Sequence, residues 1–121
     1  MARILLVDDS ELSRLVVREA FEKAGHTVVG EASDGAEGFE KYKELRPDIT
    51  TMDITMPVMD GLSALKEIIE FDSGARVIMM SSAAQSSKIA EALIVGAYEF
   101  MPKPFDKAKL AEMIDYVTAD L

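Results

Sequence analysis

Four residues of this chain have side chains suited to chemistry and stand in comparable places: Asp8, Asp9, Asp53 and Lys103. Each comes at the end of a short apolar run. The runs are Ile4-Leu5-Leu6-Val7-Asp8-Asp9, Thr51-Met52-Asp53-Ile54-Thr55-Met56-Pro57 and Met101-Pro102-Lys103-Pro104-Phe105. Two carboxylates about 4 Å apart repel by roughly 4 kcal/mol at an effective dielectric of ~20. Three together need a cation between them or raised pKa values. A donor set made only of oxygen, without His or Cys, suits Mg²⁺ or Mn²⁺. Mg²⁺ takes few protein ligands and keeps several waters, which leaves room for phosphate oxygens. Asp9 and Asp53 read as direct ligands, with Asp8 acting through water. Asp53 also reads as a nucleophile, because carboxylates form aspartyl phosphates. The ammonium of Lys103 then offsets charge on the transferring phosphoryl oxygens. Ser81, in Met80-Ser81-Ser82-Ala83, is placed to hydrogen-bond one of those oxygens.

Taken singly, each residue has a plainer reading. An Asp-Asp pair makes a turn and a helix cap, a lone lysine sits on a surface, and Ser81 and Ser82 start a helix. Their joint placement at the ends of four predicted strands is what favours chemistry.

The elements that must bring these residues together follow from periodicity. Residues 4–7 form a continuous apolar run, the pattern of a strand buried on both faces. Ser10 reads as an N-cap, followed by Leu12, Leu15, Val16, Ala20 and Phe21 at helical spacing and by Gly25 as a stop. Residues 27–32 read as a second strand. Asp34 caps a helix carrying Ala36, Phe39, Tyr42 and Leu45, which ends before Pro47. Residues 48–52 make a third strand. Asp60-Gly61 opens a helix with Leu62, Leu65, Ile68 and Ile69 on one face, Gly61 being read as relaxing the backbone. Residues 75–80 make a fourth strand. A helix over about 84–95 turns Ile89, Ala92 and Leu93 inward and stops at Gly96. Residues 98–101 make a fifth strand, and Asp106 caps a last helix with Leu110, Ala111, Met113, Ile114 and Val117. Strict alternation predicts an α/β fold, (βα)₅, with a parallel sheet and helices on both faces. The flavodoxin-like strand order 2-1-3-4-5 makes strands 1 and 3 neighbours. Ligands bind at the carboxyl ends of the strands, at that switch point.

The chain has 121 residues and reads as one domain, 1–121, long enough to bury its own core. Its formal net charge is −9, with lysines and arginines scattered, so the basic footprint of a nucleic-acid binder is missing. No run approaches the ~20 apolar residues of a membrane span. Met1-Ala2-Arg3-Ile4 leads straight into a strand, without the pattern of a signal peptide. With no cysteine there are no disulfides and no thiol catalysis, and the cytoplasm is the expected compartment. The methionines read as core and loop filler. His26 reads as a solvated turn residue, and the charged residues from Glu37 to Arg46 as a solvated helix face.

With these residues in view, the sequence resembles the receiver domain of two-component response regulators over essentially its whole length. The resemblance rests on Leu6-Val7-Asp8-Asp9, Met52-Asp53-Ile54-Thr55-Met56-Pro57-Val58-Met59-Asp60-Gly61, Met80-Ser81-Ser82-Ala83 and Lys103-Pro104-Phe105. The stretches Lys41-Tyr42-Lys43-Glu44-Leu45 and Ala64-Leu65-Lys66-Glu67-Ile68 look most like single-domain chemotaxis regulators. The resemblance implies a histidine kinase as phosphodonor and Asp53 as acceptor. It implies Mg²⁺ held by Asp9, Asp53 and the backbone carbonyl of Thr55, with Asp8 in support. Lys103 then pairs with the phosphoryl group, Ser81 is the switch hydroxyl and Phe100 the switch aromatic. It also implies a cis Lys103-Pro104 bond. The output is a change in partner affinity on the face made by the fourth helix, fifth strand and fifth helix, with a flagellar switch protein as the expected target of a monomer. Some positions depart from the chemotaxis pattern. Ser82-Ala83-Ala84 replaces a familiar Ala-Met-Gly-like run, Pro102 precedes the lysine, and Phe100 lacks the hydroxyl of a tyrosine. Thr55 and Ala83 stand where the family tunes dephosphorylation.

Two other functions compete. One is a phosphorelay intermediate that passes its phosphoryl group to a histidine phosphotransfer protein. The other is a Mg²⁺-dependent phosphohydrolase with an aspartyl nucleophile. Against the last, no insertion provides a substrate lid, and the position two after Asp53, where an acid/base would stand, holds Thr55. The expected chemistry is self-directed phosphoryl transfer and autodephosphorylation rather than enzymatic turnover.

Overall fold

The computed structural model describes residues 1–82 and 86–121. Strands and helices alternate along it: β1 (Arg3–Val7), α1 (Glu11–Lys23), β2 (Thr27–Ala32), α2 (Gly35–Leu45), β3 (Ile49–Asp53), α3 (Gly61–Phe71), β4 (Val77–Ser81), α4 (Ser86–Val95), β5 (Glu99–Pro102) and α5 (Lys107–Thr118). The strands are parallel and ordered β2-β1-β3-β4-β5, the flavodoxin-like arrangement expected from the alternation.

The continuous apolar strands make sense because the sheet is covered on both sides. Side chains alternate across a strand. Ile4 and Leu6 therefore join Val17, Phe21, Ile78, Met80, Leu110 and Ile114 beneath α1 and α5. Leu5 and Val7 join Tyr42, Met52, Leu65, Ile68, Met79 and Ala92 beneath α2, α3 and α4. Each fully buried side chain of this size contributes roughly 1.5–3 kcal/mol. Four helices start on the residues expected to cap them. Ser10 accepts from the Ser13 amide, Asp34 from Glu37, Asp60 from Ser63, and Asp106 from Ala108 and Lys109. Each such cap contributes about 1 kcal/mol.

The element ends differ from expectation by a residue or two, in a way that matters. β3 continues through Asp53, β4 runs from Val77 to Ser81, and β5 runs from Glu99 to Pro102. Ladder pairing extends these ends: Asp53 lies opposite Met80, and Ser81 opposite Pro102. The expected start of the fourth helix at 84 lies outside the described residues.

Leu93 on α4, read as inward, is exposed, and so are Leu12 and Leu15 on α1 and Ala111 on α5, which belong to the helical apolar patterns. In each helix the stripe that faces the sheet is narrower than the apolar pattern. His26 is half-buried rather than solvated, and its Nδ1 accepts the Ala2 amide at 3.0 Å. Gly25 and Gly96 stop their helices at φ of +91° and +135°, conformations that side-chain-bearing residues rarely adopt. No helix among the described residues is long and apolar enough to cross a membrane.

Candidate functional site

The order of the sheet places the ends of β1 and β3 side by side, with Val7 opposite Met52. Asp8, Asp9 and Asp53 consequently converge, each offering a carboxylate oxygen within 4.8 Å of the others. Asp8 and Asp53 are buried and Asp9 is exposed. Lys103 reaches in from the end of β5. Its Nζ lies 2.8 Å from Asp8 Oδ2 and 3.4 Å from Asp53 Oδ1. The backbone that carries it is held by β4, since the Lys103 amide donates to the Ser81 carbonyl at 2.8 Å. The Lys103-Pro104 peptide is cis.

The electrostatics follow from this geometry. Burial pushes the Asp53 carboxyl up to about 6, and the neighbouring charge of Asp8 adds to the effect, while Lys103 opposes it. Burial alone would lower the Lys103 ammonium. Its bonds to Asp8 and Asp53 outweigh that and hold it above its ordinary value. Three oxygen donors from carboxylates, two of them buried and one open to solvent, fit a hard divalent cation that keeps part of its water shell. The site has an acidic cluster that can bind a metal.

The loop after β3 is shaped by close backbone packing. The Gly61 amide donates to the Ile54 carbonyl at 2.7 Å, and a Cβ on Gly61 would stand 1.9 Å from the Asp53 carbonyl oxygen. Gly61 was expected to relax the backbone. Its dihedrals are ordinary, and what the position requires is the missing side chain. Val58 takes a φ of +66°, and the Met59 amide closes a three-residue turn onto the Pro57 carbonyl at 2.7 Å. The Met59 carbonyl then accepts the Gly35 amide at 2.9 Å, which ties this loop to the start of α2.

The remaining expected site residues fall around this cluster. Ser81 is fully buried, and its hydroxyl donates to the Ser82 carbonyl at 2.8 Å rather than toward the acids. Phe100 is half-buried on β5, opposite Met79. Thr55 is exposed at the start of the loop. Ala83 and Ala84 lie outside the described residues.

A second polar cluster adjoins the site and was not read from the sequence. Arg14 Nη1 donates to the Asp8 carbonyl at 2.5 Å, and its Nε donates to Glu31 Oε1 at 2.9 Å. Arg18 holds the other Glu31 oxygen through Nε and Nη2, at 3.0 and 2.5 Å. Lys41, placed on a solvated face by its spacing, donates to the Glu31 carbonyl. The bonds to the Glu31 carboxylate, from Arg18 first and then from Arg14, hold it below the usual carboxylate range against the opposing effect of burial. The signal available in sequence was Arg14 one helical turn past the Ser10 cap, which directs it back toward the Asp8-Asp9 turn.

A (βα)₅ sheet with three acids and a lysine at its carboxyl end defines a class. The chain matches the response regulator receiver domain over residues 4–115, and it belongs to that family. Within the family it is CheY-like. It is 45% identical over 116 residues to the chemotaxis protein CheY of Thermotoga maritima, covering 96% of this chain and 97% of that protein. It is 48% identical over 113 residues to CheY of Bacillus subtilis, covering 93% and 94%. Among solved structures it is similar to the CheX-CheY-BeF3-Mg²⁺ complex from Borrelia burgdorferi. The TM-score there is 0.90 at 40% identity, covering 96% of this chain and 88% of that one.

Proposed function

We propose that this chain is a phosphorylation-activated signalling switch, with Asp53 as phosphoryl acceptor and a histidine kinase as donor. The observation that carries this reading is the meeting of Asp8, Asp9 and Asp53 within 4.8 Å, with Lys103 bonded to Asp8 and 3.4 Å from Asp53. Asp9 and Asp53 would hold Mg²⁺, with the Thr55 carbonyl and Asp8 in support, and Mn²⁺ fits the same donors. When bound, the cation spreads charge from the phosphoryl oxygens. The relative from Borrelia burgdorferi, whose structure contains BeF3 and Mg²⁺, supports this assignment by likeness.

Asp53 is ionised at neutral pH, since its pKa is about 6, and is therefore nucleophilic. One of its oxygens attacks the phosphorus of a phosphohistidine. The O–P bond forms as the P–N bond breaks, and the electron pair leaves with a nitrogen of an imidazole protonated on its other nitrogen. Lys103 is already beside the acceptor, so it follows the added charge without a large movement. The Ser81 hydroxyl exchanges the Ser82 carbonyl for a phosphoryl oxygen. That replaces a neutral hydrogen bond by a charge-assisted one of roughly 1.5–3 kcal/mol. The net gain, about 1–1.5 kcal/mol once the neutral bond given up is subtracted, shifts a two-state equilibrium roughly five- to tenfold. Phe100 and the surface of α4, β5 and α5 then change affinity for a partner. The names of the relatives support chemotaxis. On this reading the target is a flagellar switch protein. This reading goes with a cytoplasmic location. The chemistry is directed at the chain itself and is not turnover of a metabolite.

Intact-mass measurement after incubation with acetyl phosphate and Mg²⁺ tests the acceptor. Wild type is expected to gain one phosphoryl group and Asp53→Asn none. Equal adducts on both would overturn the assignment. Capture by a flagellar-switch peptide, with and without beryllofluoride, tests the output. Capture instead by a histidine phosphotransfer domain would mark a relay intermediate.

A further inference from the structure

Asp9 differs from its two partners in the acidic cluster. Asp8 is fixed by the Ser10 amide on Oδ1 and by Lys103 on Oδ2, and Asp53 is held in the sheet ladder opposite Met80, with Lys103 Nζ 3.4 Å from its Oδ1. Asp9 is exposed, and its carboxylate makes no hydrogen bond among the described residues. Its position is set by its backbone alone. The peptide joining Asp8 to Asp9 is planar, so fixing the Asp8 carbonyl oxygen fixes the direction in which the chain enters Asp9. One side of that residue is secured by the sheet, where the Asp8 amide donates to the Ala32 carbonyl at 3.0 Å. The other side is secured by Arg14, through the 2.5 Å bond from Nη1 to the Asp8 carbonyl.

We infer that Arg14 is a positioning residue, which aims the Asp9 carboxylate at the cation by gripping the Asp8-Asp9 peptide. Glu31 completes the device. Its Oε1 holds the Arg14 Nε at 2.9 Å and orients the guanidinium plane; Arg18 bonds only the other oxygen, Oε2, and makes no hydrogen bond to Arg14 or the Asp8-Asp9 peptide. A guanidinium makes both bonds at once because its donors form a rigid fork. A lysine carries the same charge on a single nitrogen and cannot reproduce the two separated donors, Nε and Nη1, that Arg14 spreads between Glu31 and the Asp8 carbonyl. Groups that orient a metal ligand without touching the metal typically change affinity 10–100-fold when removed. This inference rests on the reading of the acids as a Mg²⁺ site.

The test is calorimetric titration of Mg²⁺ into the metal-free protein, with Mn²⁺ followed by electron paramagnetic resonance as a second probe. Arg14→Lys and Arg14→Gln are expected to bind either ion at least tenfold more weakly than wild type. Arg18→Ala removes an ion pair from the same Glu31 but leaves the Asp8 carbonyl held, and is expected to stay within twofold. Far-ultraviolet dichroism and urea midpoints identify the folded variants to be compared. Arg14→Lys binding within twofold of a wild type that does bind would overturn this inference alone. Equal weakening in Arg14→Lys and Arg18→Ala would also overturn it, because the effect would then belong to the ion-pair cluster. A wild type that binds neither ion would overturn the metal reading and this inference with it.

Discussion

The first residue of α3 rests on the last residue of β3: a Cβ on Gly61 would stand 1.9 Å from the Asp53 carbonyl oxygen. The obstructing atom is backbone, so no side-chain rotation relieves the overlap. The Gly61 amide also bonds the Ile54 carbonyl, so the strand end and helix start move as a unit. Gly61→Ala is therefore expected to lower stability by roughly 2–4 kcal/mol, by forcing α3 away from the acidic cluster. Urea unfolding checks this, and an unchanged midpoint would refute it.

The raised pKa of Asp53 makes a pH prediction with a definite sign. The folded state holds the proton more tightly than the unfolded chain, at about 6 against 3.8. Stability of the metal-free protein accordingly falls as pH rises from near 3.8 through about 6, and the penalty is complete above that. Asp53→Asn removes the penalty. It is expected to stabilise the metal-free protein by roughly 2–3 kcal/mol at pH 7, a difference that shrinks toward zero near pH 4. Thermal melts at both pH values in the presence of a chelator measure it.

Lys103 neutralises two acids, Asp8 and Asp53, with one ammonium. Lys103→Ala leaves both carboxylates facing each other and is expected to cost about 1–2 kcal/mol without metal, the lysine being partly solvated. Mg²⁺ no longer competes with the ammonium there. Its affinity is expected to rise several-fold, and the thermal shift it produces to exceed that of wild type. The variant should still take a phosphoryl group from acetyl phosphate, yet show the same partner affinity before and after.

Thr50 is fully buried in β3, and its Oγ1 has no hydrogen-bond partner among the described residues. It lies between Leu5 and Val77 in the ladder. A buried hydroxyl without a partner loses its hydration and gains nothing in return. Thr50→Val is expected to raise stability by about 0.5–1.5 kcal/mol, read from the urea midpoint, with Mg²⁺ affinity unchanged.

Much of the fold was legible because its signals are local. Ser10, Asp34, Asp60 and Asp106 cap helices through bonds to amides two or three residues away, so the residue type at the start of each apolar pattern was enough. The apolar runs marked buried strands, and strict alternation left few topologies. The inward faces were less legible. Leu12, Leu15, Leu93 and Ala111 keep helical spacing yet lie outside the stripe that meets the sheet, because periodicity gives an angle around a helix and not the width of its contact.

The same division runs through the site. The sequence alone determined which groups would meet. Asp8, Asp9, Asp53 and Lys103 each end a strand, and a parallel sheet collects strand ends on one edge. Only the tertiary structure decided how they meet. Lys103 lies closer to Asp8 than to Asp53, Gly61 presses on the Asp53 carbonyl, and Arg14 grips the peptide before Asp9. Those contacts join segments whose mutual distance and orientation depend on the packing of the whole sheet, and no pattern within one segment encodes them.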